Sequence, residues 1–301
     1  GLTNQRSEFL ISTLPVAELS STDRQTNYLA HFADGGGWKT EVVLINPSDQ
    51  PISGTIDFPG TISLDGQSAR SFPYSLPPHG ARRWTTSGAG AAVATGSIRI
   101  APAQDNLSPT ASSLFAFSQN GVTVSETTVT AVAPQQSFRL FVEAAGAFSA
   151  GDKGSILSGI AIANPSDTPV TVSLSLTNFA GGAVRPSTAI TVPAQGQVAQ
   201  FLNQPPGWEI IETPFQGMLS VSSAGPIAIT GLRARYNERG DFLVTATAAF
   251  DSVDRPVFPH IVDSGGFATQ MVLVDRLGLR PSSSILSLLN QSGQPLSLNL
   301  R

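Results

Sequence analysis

The chain has 301 residues, of which 41% are hydrophobic and only 13% charged, with a formal net charge of −4. That length suits about two domains, and the acidic balance offers no basic face to a phosphate backbone, which argues against a nucleic-acid partner. The absence of cysteine excludes disulfides, thiolate metal sites and a cysteine nucleophile, and no apolar run reaches the roughly 18 to 20 residues of a membrane-spanning helix.

From the N-terminus, "GLTNQRSEFLISTLPVAEL" (1–19) reads as the closing hairpin of a repeat unit, followed by a polar linker, "ELSSTDRQTN" (18–27). The segment "HFADGGGWKTEVVLINPSDQPISGTIDF" (31–58) then opens a unit that returns as "GSILSGIAIANPSDTPVTVSLSL" (154–176) and again as "HIVDSGGFATQMVLVDRLGLRPSSSILSL" (260–288). His31 and His260 lie 229 positions apart with one copy between them, so the period is about 115 residues. The second half repeats as well: "SLPPHGARRWTT" (75–86) matches "TVPAQGQVAQFL" (191–202), and "SSLFAFSQNGVTVSETTVTAV" (112–132) matches "IAITGLRARYNERGDFLVTATAA" (227–249).

Within each unit the apolar period is two, the signature of half-buried strands. Val170, Val172, Leu174 and Leu176 are expected to face a core, with Thr171, Ser173 and Ser175 toward water; Ile52, Ile56 and Phe58 follow the same parity, as do Leu296, Leu298 and Leu300. Gly and Pro punctuate the runs throughout, and no window carries a capped helical stripe. The expected fold is all-β: tandem antiparallel β-sandwich units of about 115 residues, immunoglobulin-like or fibronectin-like, with a jelly roll as the alternative. The expected domains are a tail of a preceding unit plus linker (1–27), a first sandwich (28–136), a second (137–256) and the truncated start of a third (257–301). Gly1 and Arg301 are then cut points in a longer array. Linkers at 133–136 and 251–259 are too short to swing freely, which predicts a monomeric rod of domains.

The sequence offers few polar constellations. Asp34 in "ADGGGW" and Asp263 in "VDSGG" bring one carboxylate each, far short of a calcium shell, so both read as turn residues. Asp49 and Asp167 of the repeated "NPSD" phrase read as Asx-type turn formers. His31, His79 and His260 do not converge. "SGAGAAVATG" (87–96) lacks the strand, helix and acidic residue of a dinucleotide fingerprint and reads as a flexible loop. No G-x-S-x-G or H-E-x-x-H motif is present, so the chain is expected not to be an enzyme and to need no cofactor. Phe148 and Phe267 match Trp38 in the other units, which marks that position as a core aromatic. Trp84 and Trp208 have no such counterparts and are the candidates for ligand stacking.

"HFADGGGWKTEVVLINPSDQP", with the later "PPHGARR" and "SETTVTAV", resembles the tandem β-sandwich repeats of uncharacterised bacterial secreted or cell-surface proteins. The third copy departs from them, with "VDRLGLRP" where "INPSDQP" is expected. The resemblance implies an extracellular or cell-surface, non-catalytic structural or adhesive module of a longer exported chain, with a surface glycan or another extracellular protein as partner. The alternative is a carbohydrate-binding sandwich appended to an enzyme outside this stretch.

Overall fold

The computed structural model describes residues 1–12, 16, 23–247, 258, 260–273 and 285–296. Residues 1–250 form one compact unit and residues 251–301 another. Among the described residues there are seventeen strands and no helix.

A small hairpin, β1 (Leu2–Thr3) and β2 (Phe9–Leu10), comes first. The first repeat contains β3 (Asn27–Asp34), β4 (Trp38–Ile45), β5 (Ile52–Leu64), β6 (Gln67–Leu76), β7 (Ala81–Thr85), β8 (Ala94–Pro102), β9 (Thr110–Gln119) and β10 (Val122–Thr130). The second contains β11 (Gln135–Ala145), β12 (Ile156–Ala163), β13 (Val170–Asn178), β14 (Thr188–Val192), β15 (Gln197–Phe201), β16 (Phe215–Tyr236) and β17 (Phe242–Thr247). In the first repeat the antiparallel sheets β3-β8-β5-β6 and β10-β9-β4-β7 pack face to face. The second repeats that order with β11, β13 and β14 around the first half of β16, and β17, β12 and β15 around its second half.

Alternation of apolar and polar residues builds these layers. Val170 is buried and Val172, Leu174 and Leu176 are at most 1% exposed, while of the residues between them Thr171 and Ser173 are exposed and Ser175 is half-buried. Each such leucine removed from water contributes about 2 kcal/mol. Ile56 and Phe58 pack in the first core against Phe72, Ile98, Ile100 and Phe115, and Leu174 and Leu176 in the second against Leu140, Leu219 and Val221.

Numbered from the first strand of a repeat, the sheets run 1-6-3-4 and 8-7-2-5. A constant-type immunoglobulin domain runs 1-2-5-4 and 3-6-7, so the expectation holds at the level of packed antiparallel sheets and departs in strand order. The two orders share one pairing, strand 2 beside strand 5, and the repeated "NPSD" phrase stands at its end. Asn46 is fully buried; its amide donates to Gln50 O (2.8 Å) and Pro77 O (2.9 Å), and its Oδ1 accepts from Ser48 N (2.9 Å). Its backbone N–H donates to Gly80 O at 2.8 Å. The turn after strand 2 is thereby clamped to the turn before strand 5, which draws β4 and β7 side by side. Asn164 makes the same set with Thr168 O (2.7 Å), Pro193 O (3.0 Å), Ser166 N (2.9 Å) and Gly196 O (2.9 Å). The Asx former is thus the Asn. Asp49 instead reaches His79 Nε2 (2.8 Å), and Asp167 accepts from Gln195 Nε2, where His79 and Gln195 occupy matching left-handed positions, φ 54° and 50°.

The two sandwiches do more than follow one another. Edge strands β10 and β17 meet through side chains: Val244 N donates to Ser125 Oγ (2.8 Å), Ser125 Oγ donates to Val244 O (3.0 Å), and Ala246 N donates to Thr127 Oγ1 (2.7 Å). Ala30, Ala163 and Ala228 form a second, fully buried contact between the repeats. The segment 133–136, expected as a linker too short to swing freely, is in part strand, since β11 begins at Gln135.

In residues 251–301 the described part holds isolated bridges, Ser264 with Phe267 and Leu289 with Pro295. Leu296 is 36% exposed. Leu298, Leu300 and the expected boundary at 256/257 lie outside the described residues.

Candidate functional site

The two stacking candidates are core residues. Trp84 is 3% exposed and packs in the first core, with the Arg82 guanidinium 4.7 Å from its ring centroid. Trp208 is 1% exposed and its Nε1 donates to Pro186 O at 2.9 Å. Core neighbours and the Arg82 side chain cover these rings, so neither offers a free face on which a sugar could stack. Sequence matching had ranked the tryptophans the other way. Trp38 is the partly exposed one, and its pairing with Phe117 is mirrored by Ile156 with Arg235, so Ile156 and not Phe148 holds its place in the second repeat. Phe267 is 61% exposed and is no core aromatic in the described part of its own unit.

The polar candidates are occupied locally. Asp34 is 7% exposed and accepts from Gly88 N at 2.8 Å. Gly36 N donates to Gly90 O at 2.7 Å, and a Cβ on Gly35 would lie 2.4 Å from Ala92 O. The 87–96 segment, expected to be flexible, is therefore held against the triple-glycine turn Gly35–Gly37, all three at positive φ. His79 and His260 are exposed. His31 is partly buried at the junction of the repeats, its Nδ1 2.9 Å from Gln197 Nε2 and its ring edge-on to Phe115. Burial lowers its pKa to about 4, so the ring is neutral near pH 7. Among the described residues no three His, Asp or Glu side chains stand together as metal ligands, and no helix is long and apolar enough to cross a membrane.

One concave feature among the described residues is aromatic. Phe117 and Gln119 of the first repeat, with Phe148, Ala150, Phe201, Tyr236, Gly240 and Phe242 of the second, line a cleft of about 500 Å³. Trp38 stacks on Phe117 (centroids 4.6 Å), and Phe117 meets Phe242 edge-on (6.0 Å). Phe148 tilts against Phe201 (5.1 Å) and Tyr236 (5.2 Å). Phe148 sits at φ 46°, a left-handed conformation that costs a bulky residue about 1 kcal/mol or more. Its ring packs against both cores. No charged side chain lines the cleft, so its chemistry is apolar with a neutral amide and a phenol at the rim. These rings lie between positions 117 and 242, on strands and loops of two repeats. No local pattern joins them, and only the pairing of the repeats brings them together.

No family model matches the chain, and no curated protein or solved structure matches it.

Proposed function

We propose that the chain is a non-catalytic structural or adhesive repeat module of a longer exported bacterial protein, acting at the cell surface or outside the cell. One observation carries this reading: the sheet order of an eight-strand sandwich is duplicated with its Asn clamp intact, two of the strands being fused as β16 in the second copy, and the two copies are fastened by Ser125 and Thr127 to the backbone of β17. What is kept between the two copies is scaffold, the "NPSD" turn with its Asp included, while the tryptophans and histidines differ between them, as in repeat proteins built for extent and rigidity. The cell-surface setting rests on the family resemblance and on a Cys-free, sparsely charged surface.

The test is calorimetric unfolding followed by hydrogen exchange. A rigid module is expected to unfold its two sandwiches in one transition that Ser125→Ala splits or broadens. Two independent transitions already present in the unaltered protein would refute rigid coupling, and turnover of ester or glycoside substrates by the purified chain would refute the non-catalytic reading.

A second reading, carbohydrate binding, is favoured by the aromatic cleft and no longer by Trp84 or Trp208. Saturable binding on a glycan array that disappears in Phe148→Ala supports it; glycan binding indifferent to Phe148 places the ligand elsewhere.

A further inference from the structure

Four turns in the described residues share one geometry. In each, an Asn accepts at Oδ1 from the N–H four residues on, donates its own N–H to that residue's carbonyl, and is followed at the third place by a left-handed residue. They begin at Asn4, Asn178, Asn237 and Asn290, with Ser7, Gly181, Gly240 and Gly293 left-handed. Asn178-Phe-Ala-Gly-Gly182 and Asn290-Gln-Ser-Gly-Gln294 carry no charge, so the turn itself needs none. The other two, Asn4-Gln-Arg-Ser-Glu8 and Asn237-Glu-Arg-Gly-Asp241, both place Arg at the third position and a carboxylate at the fifth.

Those two charged turns touch each other, and reciprocally. Arg6 donates to both Asp241 oxygens (3.3 and 2.8 Å), and Arg239 pairs with Glu8. Each acid is also held by its own Asn, Glu8 Oε2 by Asn4 Nδ2 (2.8 Å) and Asp241 Oδ2 by Asn237 Nδ2 (3.1 Å). The carboxylates titrate below their ordinary values, Asp241 chiefly through the Arg6 hydrogen bond and Glu8 chiefly through Asn4. The β1–β2 turn also meets the start of β10, just after the Asn120-Gly121 tip. The register shift between Thr123 and Ser125 marks a bulge there, and both backbone groups of Thr123 turn to the hairpin: its N–H donates to Gln5 Oε1 (2.9 Å) and its carbonyl accepts from Asn4 Nδ2 (2.9 Å).

We propose that the β16–β17 tip, with Thr123 of β10, is a recognition surface for a β-hairpin bearing Asn-x-Arg-x-acid, and that its partner in trans is the β1–β2 hairpin of a second copy of the chain. Recognition is by self-complementarity: the same turn supplies the cation and the anion on both sides, so any two hairpins of this signature fit each other, while uncharged turns of identical backbone do not. In the single chain the site is filled by the chain's own hairpin, whose Phe9 stays 65% exposed and takes no part in the clasp.

The experiment uses the full chain carrying Arg6→Glu, which repels Asp241 and releases the tethered hairpin, together with a fluorescent peptide of residues 1–12. The peptide is expected to bind this variant saturably, and the unaltered chain about a hundredfold more weakly because the tethered hairpin competes at high effective concentration. Raising salt from about 0.05 to 0.5 M weakens binding. A peptide carrying Arg6→Glu does not bind the Arg6→Ala chain and binds when that chain also carries Asp241→Arg, because its tethered hairpin has no acid at position 6 to refill the site. Folding is checked by the unchanged melting of the sandwiches, and Arg6→Ala serves as a milder opening variant. If the peptide fails to bind either opened chain while both melt normally, or binds with its Arg and acid scrambled, the proposal is wrong. Loss of the clasp leaves coupling of the sandwiches through Ser125 intact, so this result and the calorimetric one are independent.

Discussion

The first and second repeats reach one strand order by different routes. In the first, β8 and β9 are separate strands joined by 103–109, where Asn106 Oδ1 accepts from Ser53 N at 2.9 Å. In the second, the same two strands are fused as β16, 22 residues that leave one sheet and enter the other. Its first half pairs with β11 and β13, its second with β12 and β17. Ala144 and Ala145 of β11 also pair with Leu157 and Ile156 of β12, which joins the two layers at one side as in a barrel. What both repeats share is the clamped pair of turns. The difference teaches that the constant element is the Asn-clamped pairing of strands 2 and 5, while the link between strands 6 and 7 tolerates replacement of a loop by continuous strand.

The sharpest way to break the comparison is at the clamp. Asn46→Leu and Asn164→Leu each leave several buried carbonyls and N–H groups unpaired, an expected loss of about 3 to 4 kcal/mol. Hydrogen exchange should show the loss first in the mutated repeat. Equal loosening of both repeats by either variant would mean that the clamp is not the local determinant.

Next in size is acid. The folded-state pKa of His31, about 4, lies below its ordinary 6.5, so the unfolded chain takes up this proton first. The contribution is present above pH 6.5 and is lost as pH falls from 6.5 toward 4, to a maximum of about 3 kcal/mol. Denaturant titrations across that range should show a steeper decline for the unaltered chain than for His31→Gln.

A smaller effect belongs to Ser125→Ala, which leaves Val244 N without its side-chain acceptor. Its expected cost is about 1 to 2 kcal/mol, read as uncoupling of the repeats. Smallest is Tyr74→Phe in the first core. Among the described residues the Tyr74 hydroxyl has no hydrogen-bond partner, and burial raises its pKa. Removing it is expected to be neutral or to stabilise by up to about 1 kcal/mol, seen as a small rise in Tm. A clear destabilisation would show that the hydroxyl has a partner after all.

Much of the scaffold was legible before any coordinates. Period-two runs marked the buried faces of β5 and β13 because burial alternates with the pleat, and the copied "NPSD" phrase marked a turn because Asn, Pro and Asp stabilise reversals. The clamp was not legible, since the acceptors of Asn46 at Leu76 and Pro77 are 30 and 31 positions away. Nor was the aromatic cleft, whose walls come from strands and loops joined only by folding. Trp84 and Trp208 misled for a related reason. Lack of a counterpart in other copies suggests a special role, yet each repeat packs its own core and fills gaps with whichever large side chain fits.

The hydroxyls of Ser125 and Thr127 have one more consequence. A strand at the border of a sheet carries a row of open amide and carbonyl groups, and another chain can add itself there without limit. At β10 and β17 the two borders face each other across short side chains that satisfy the backbone of β17 but cannot propagate a ladder. The junction thus ends two sheets at once, and it guards against fibrillar stacking in a protein whose bulk is strand. Conditions that part the repeats without melting them would unmask both borders together, and growth of thioflavin-positive fibres should then start from this seam.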